Sequence, residues 1–410
     1  MRQLKIALLH YSCPPIVGGV EEIIRQHAAL FTRYNHMAKI FAGDGGLFSD
    51  EYGIEINSLL SSRNPRILQI HKNLTERPHE LESCSKEIFS YLVRVLEPFD
   101  VLIAHNVLTM PYNLPLTSAL HGLANQGSIK VVSWNHDSPY FYTPLPTDLK
   151  KEQWDILRRH NPNISYIAIS EERRGQFQDL YGLREGIEVI PDGIDVISFL
   201  NLDPNTTKMM RAEHLLEADL LMVQPCRLHP RKNIELSIRV IKALQEKGLH
   251  ARLLLTGAYD PHLKETTDYH HTLKKLGEQL HVERDVLIAA EYFSEGGKDL
   301  SGETVIVRDL YLIADLLFLP SLQEGFGIPL LEAGALKLPI VCSDIPPFRE
   351  VGKGNVQYFS LKDTPAQIAD KILTFIGKLY PHRMFRHVIQ NYVWDDIYHK
   401  MLLPFLERVK

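Results

Sequence analysis

Short, uninterrupted apolar runs recur along this chain, each followed by a longer amphipathic segment, and that alternation constrains the fold more than any other feature. Residues 5–11, 39–42, 100–105, 130–134, 165–170 and 187–190 read as strands without a polar face. A strand that is apolar on both sides must be covered on both, which is the condition of a parallel sheet flanked by helices. Val20, Ile23, Ile24, Ala28 and Phe31 fall at helical spacing behind the first strand, so a helix is predicted over 20–31. The pattern breaks at Pro191-Asp192-Gly193-Ile194-Asp195, and the polar stretch 201–207 reads as a linker. It then restarts, with strands at 220–224, 252–256, 285–290, 316–319 and 339–342 and helices over 233–244, 307–314 and 327–337.

At 410 residues the chain needs more than one core, since single cores rarely grow past about 250–300 residues. The reading is therefore an α/β protein of two Rossmann-like, doubly wound domains, 1–200 and 208–385, facing a central cleft. The amphipathic stretch 395–409 makes the segment 386–410 a C-terminal helix packing back toward the N-terminal domain. Ligands of doubly wound sheets bind outside the carboxyl ends of the strands. Two such domains predict a large, two-part substrate.

Charge and cysteine content remove several classes of function. Lys and Arg total 45 against 50 Asp and Glu, a net charge of −5, which leaves no electrostatic footprint for nucleic acid. Cys13, Cys84, Cys226 and Cys342 are far apart in sequence, so neither a zinc site nor a disulfide framework is expected and a cytoplasmic location is. No apolar run is long enough to span a membrane, and residues 1–10 read as a first strand rather than a signal peptide. Lys150-Lys151 and Arg158-Arg159 flank Trp154 and Leu157. That pattern reads as a solvated amphipathic helix, with membrane contact as the lesser reading. His270-His271 and the other histidines, His136 apart, have no metal-ligand spacing and are placed at the surface.

Three loops carry chemistry. Gly18-Gly19 precedes the first helix, where glycine permits close approach and a helix start favours an anion; a tight structural turn explains it equally well. Arg227, Arg231 and Lys232 gather after the strand 220–224, suited to a diphosphate or to nothing more than a solvated basic loop. Glu324-Gly325-Phe326-Gly327-Ile328-Pro329-Leu330-Leu331-Glu332 puts two carboxylates eight residues apart across a loop-to-helix junction. Eight residues rotate a helix by roughly 80°, so the two acids are expected to serve different parts of one ligand. Sugar hydroxyls are natural partners for such carboxylates.

The region 309–351 resembles the signature of retaining glycosyltransferases of family 4, which have the GT-B fold, and the resemblance extends over nearly the whole chain. Gly18-Gly19-Val20-Glu21 is similar to the family's N-terminal glycine loop, and Ile167 to Glu171 and Val189 to Asp195 to two further segments, with Asp192 where the family usually has Asn. Arg227 and Lys232 match its phosphate-binding pair, and Glu324 and Glu332 its two acids. The resemblance implies a hexosyl group (glucose or mannose) moved with retention from a nucleotide diphosphate sugar to a hydroxyl of a sugar or small phosphorylated or carboxylated acceptor. It also implies that neither a metal nor another cofactor is required. Implied catalytic residues are His136, Glu324, Arg227 and Lys232; the donor would be held by Gly18, Gly19, Arg227, Lys232, Gly257, Gly325, Phe326, Gly327 and Glu332. Asp137 reads as an acceptor contact or a helix cap, and Arg63, Arg66 and Lys72 as acceptor-reading cations or ordinary exposed ones. The competing functions are a GT-B phosphorylase or epimerase, and a non-catalytic carbohydrate-binding protein.

Overall fold

The structure, a computed structural model, describes residues 3–257, 264–295 and 304–409. It divides into two compact units, Met1–Asp195 with Asn391–Lys410, and Val196–Gln390. Strands of the first are β1 (Lys5–His10), β2 (Met37–Ala42), β3 (Gly53–Ile56), β4 (Val101–His105), β5 (Lys130–Asn135), β6 (Ile164–Ala168) and β7 (Ile187–Val189). Among the described residues they form one parallel sheet in the order β3-β2-β1-β4-β5-β6-β7. Those of the second are β8 (Leu220–Gln224), β9 (Ala251–Leu255), β10 (Val286–Ile288), β11 (Leu316–Leu319), β12 (Ile340–Ser343) and β13 (Gln357–Phe359), also all parallel, in the order β10-β9-β8-β11-β12-β13.

Burial on both faces explains the apolar runs. On β1, Ala7 and Leu9 enter one cluster while Ile6 and Leu8 enter another; on β8, Leu220 and Met222 pack on one side and Leu221 and Val223 on the other. Alternate residues of a strand point to opposite faces, so both layers of each unit are filled from the same short segment. In each order the chain reverses direction of travel once, between β1 and β4 and between β8 and β11. Such a reversal is where doubly wound sheets take ligands, outside the carboxyl ends of the strands.

Some expectations change. The stretch 201–207 is no slack linker. Asp203 accepts the Asn205 N–H at 2.7 Å, Pro204 occupies the first turn, and the helix Pro204–Ala212 follows with Met209 and Met210 buried. Polar residues there cap a helix. The units exchange at Asp195/Val196, earlier than the boundary at 200, because Ile197 and Leu200 pack on the second core. The chain returns at Asn391, later than 386, because Arg386 is buried on Asp315 and on the Ala218 carbonyl. From there Trp394, Ile397, Tyr398, Leu402, Phe405 and Leu406 fill the first unit's core, with Tyr398 stacked on Tyr34 at 4.0 Å and bonded to His36 at 2.7 Å.

The basic segment around Trp154 is not an α-helix with a free apolar face. It forms two 3-10 turns, Thr147–Lys150 and Glu152–Arg158, whose Trp154 and Leu157 are buried. His270 is buried beside Glu291 rather than at the surface, and His10, His27, His36, His105 and His121 are buried as well; His271 is exposed. All four cysteines are buried free thiols. Among the described residues no helix is long and apolar enough to cross a membrane.

Candidate active site

The second unit joins the two loops that leave its switch-point strands. Gln224, the last residue of β8, donates to the Lys232 carbonyl at 2.9 Å and is held by Ser237 at 2.6 Å. Asn233 takes a left-handed turn (φ 53°) and donates to the Pro320 carbonyl at 3.1 Å, while Leu322 N–H donates to the Arg231 carbonyl at 2.8 Å. These bonds tie the loop after β8 to the loop after β11. Between them Lys232 Nζ meets Glu324 Oε1 at 2.5 Å, with only 13% and 11% of the two side chains exposed. Ser321 Oγ donates to the same carboxylate oxygen at 2.8 Å, and Ser343 Oγ in turn holds the Ser321 carbonyl at 2.6 Å. Glu324 therefore arrives with its orientation already set.

Glu332 is handled separately. It is the fifth residue of the helix Ile328–Ala335, exposed, and accepts the Tyr311 hydroxyl at 2.6 Å. Burial, then the neighbouring carboxylate, push the Tyr311 hydroxyl well above its ordinary range, so it remains a donor. Two acids with different partners match the expectation that they do not share a proton. Arg227 is exposed and has no hydrogen bond or ion pair among the described residues, so its five donors remain available to an anion.

The glycines separate by cause. Gly257 sits at φ +64°, its N–H on the Cys226 carbonyl at 3.0 Å, and an added Cβ would lie 2.2 Å from Ile288. Gly327 sits at φ +108° with Phe348 3.1 Å from an added Cβ. Both are demanded by the fold. An added Cβ at Gly325 or Gly19 meets nothing within 4 Å, so neither is required by packing. Phe326 between the loop glycines is 53% exposed. Gly257→Ala is accordingly expected to cost about 1–3 kcal/mol in chemical denaturation, with Gly325→Ala leaving the midpoint unchanged. Equal losses would contradict the distinction.

In the first unit an added Cβ at Gly18 would lie 2.1 Å from the tip of the Glu21 side chain, which accepts Ser12 Oγ at 2.6 Å, so a substitution there displaces a movable side chain rather than backbone. His136 follows β5, beside the switch point. Its N–H is held by Asn106 Oδ1 at 3.1 Å and its Nδ1 lies 3.0 Å from Asp192 Oδ2. Asp192 also accepts Trp134 Nε1 at 3.3 Å. Behind His136 stand His105, His10 and His27. Burial pushes His10 down to about 4 and His27 to about 3, and holds His105 well below its ordinary value, so all three are neutral near pH 7. Asp137 Oδ1 caps the Ser138 N–H at 2.8 Å and pairs with Arg173 at 3.2 Å, and Oδ2 accepts the Tyr142 hydroxyl at 3.0 Å. Arg63 lies exposed in the loop after β3, whereas Arg66 is engaged by Glu87.

Residues 17–197 match the family described as Glycosyltransferase Family 4, and residues 206–385 match Glycosyl transferases group 1. The chain belongs to glycosyltransferase family 4, group 1. Its two parallel-sheet, Rossmann-like units are those of the GT-B fold, and it is a hexosyltransferase. The family's reaction implies a nucleotide-sugar donor and an acceptor. Among curated relatives, the mannosylglucosylglycerate synthase of Petrotoga mobilis is 26% identical over 372 residues, covering 85% of this chain and 84% of that protein. The mannosylglucosylglycerate synthase of Thermotoga maritima is 23% identical over 386 residues, covering 88% and 85%. A solved glycosyltransferase from Rickettsia africae is 18% identical with full coverage of both chains and a TM-score of 0.38.

Reasoning on the family 4 sequence found the acids and cations but missed their partners. Ser321 and Tyr311 are ordinary residues in sequence and join the candidate site only through contacts 3 and 21 residues away. Asp192 carried one signal, its departure from the usual Asn.

Proposed function

We propose that this enzyme transfers a mannosyl group, with retention and without a metal, from a nucleotide diphosphate mannose to a hydroxyl of an acid-bearing glycoside such as a glucosylglycerate. The observation that carries the reading is the Lys232–Glu324–Ser321 constellation at the switch point of the second sheet, with Arg227, exposed and without a side-chain partner among the described residues, on the same loop as Lys232. Arg227 and Lys232 supply fixed positive charge where a diphosphate leaving group gains negative charge, the role a divalent cation plays elsewhere. Glu324, oriented by Ser321, accepts hydrogen bonds from donor-sugar hydroxyls. Glu332, oriented by Tyr311, does the same for the ribose. His136 serves the transfer from the first unit, where Arg63 offers a cation to the acceptor's acid group. Mannose and the acid-bearing acceptor are supported by the names of the two full-length relatives.

Thermal unfolding with UDP, GDP, ADP and their mannose and glucose conjugates tests the donor half, because a ligand of the native state raises its melting temperature by mass action. One nucleotide is expected to raise it, its mannose conjugate most, and Arg227→Ala to abolish the rise. No shift with any nucleotide on folded protein would overturn the reading in favour of a phosphate-dependent enzyme or a carbohydrate-binding protein.

A further inference from the structure

We propose that Asp192 is a positioning residue that holds His136 as its Nδ1–H tautomer, leaving Nε2 to accept a hydrogen bond from a substrate hydroxyl. The second half rests on the reading that His136 serves the transfer; the first does not. The geometry is a chain of donors ending on one carboxylate. Trp134, fully buried, directs Nε1–H at Asp192 Oδ1, 3.3 Å away, and His136 Nδ1 lies 3.0 Å from Oδ2. A carboxylate only accepts, so the hydrogen between Asp192 and His136 belongs to Nδ1. In a neutral imidazole Nε2 then carries the lone pair. Its one hydrogen-bonding contact among the described residues is His105 Nδ1 at 3.5 Å, the outer limit of a hydrogen bond, a weak partner for a substrate hydroxyl to replace. Asn106 fixes the backbone from the other side, its Oδ1 taking the N–H groups of both His136 and Asp137 at 3.1 and 3.0 Å.

An asparagine at 192 would reverse the assignment. Its single oxygen must face the Trp134 N–H, because the opposite orientation sets two donors against each other. Its amide N–H then points at His136 Nδ1, which becomes the acceptor, and the ring hydrogen moves to Nε2. The acid at this position therefore makes Nε2 an acceptor, which takes a hydroxyl as donor and turns away a carbonyl, carboxylate or phosphate oxygen; an amide would make Nε2 a donor that accepts any of these oxygens as partner, a hydroxyl's included.

The test combines a spectrum with kinetics. In protein labelled with 15N-histidine, the His136 signals are assigned by their loss in His136→Gln. They are expected to show a protonated Nδ1 and a bare Nε2, and the reverse in Asp192→Asn. With an unchanged melting temperature, Asp192→Asn is expected to lower kcat by about 10²-fold while donor KM stays put. Asp192→Glu, which keeps two accepting oxygens, recovers part of the loss. In a His136→Gln background Asp192→Asn costs nothing further. A protonated Nε2 in the native enzyme, an unchanged tautomer in Asp192→Asn, or an undiminished cost in the His136→Gln background would each overturn the proposal. Full turnover by His136→Gln would instead overturn the role of His136 in transfer, and the spectra would still decide what Asp192 does.

Discussion

Lys232→Ala is expected to lower kcat/KM by about 10³-fold, the scale of losing one fixed charge aimed at a developing anion. Two effects combine in that variant. The leaving diphosphate loses a cation, and Glu324 loses its only opposite charge among the described residues while 89% of its side chain stays covered. Removing one member of such a covered pair costs roughly 3–5 kcal/mol of stability, so a simple loss of activity would be ambiguous. Lys232→Met with Glu324→Gln resolves it. With no stranded charge, the double variant is expected to regain most of the unfolding free energy lost by Lys232→Ala and yet to remain inactive. Recovery of turnover together with stability would show that the pair is structural and that the donor chemistry lies elsewhere.

The second large effect is on stability in acid, and it concerns the first unit. His10, His27 and His105 are buried and neutral when folded, the first held at about 4 and the second at about 3 by burial. Among the described residues His27 has no hydrogen bond on either ring nitrogen, being wedged among the rings of Phe31, His105, Trp134 and Trp394. In the unfolded chain the same groups bind protons near pH 6.5. Folding therefore has its full contribution from them above pH 6.5 and loses it as pH falls toward 4. Each group gives up to about 1.4 kcal/mol per pH unit, and three together approach about 4 kcal/mol per unit, set against a total of about 5–15 for a typical domain. Trp134, Trp154 and Trp394 all lie in the first unit, so tryptophan fluorescence in urea reads that unit alone. The unfolding free energy is expected to fall steeply between pH 6.5 and 4.5. His27→Phe should reduce the slope by one proton without loss at pH 7.5, since it removes two unpartnered buried atoms. A flat profile over that range would contradict the neutral-histidine core.

What could be read in advance followed from where the constraint was local. Strands β1, β4, β5, β8 and β11 are buried on both faces, so their sequences carry their own signature. The edge strands β3 and β13 escaped notice because Gly53–Ile56 and Gln357–Phe359 are short and only partly covered, leaving no continuous apolar run. The acids and cations of the second unit were legible as residue types, and the loop position of Glu324 and helical position of Glu332 were too. Their pairing was not: Lys232 and Glu324 are 92 residues apart and meet only because β8 and β11 are neighbours at the switch point. His270 was misplaced for the same reason, its covering partner Glu291 belonging to another helix. Asp192 shows the limit most clearly. Its departure from the family pattern was visible, but its meaning depends on Trp134 and His136, 58 and 56 residues upstream.

The central claim is most directly tested by the product itself. The enzyme, with a chelator present, is incubated with the nucleotide mannose that stabilises it most and an acidic glucoside, and the mixture is followed by mass spectrometry and by the anomeric proton signal. The account predicts a new species heavier by one hexose residue, formed only with acceptor present, keeping the donor's anomeric configuration and absent with Glu324→Gln. Consumption of the donor without acceptor, product formation that depends on inorganic phosphate, or unchanged turnover by Glu324→Gln would contradict it.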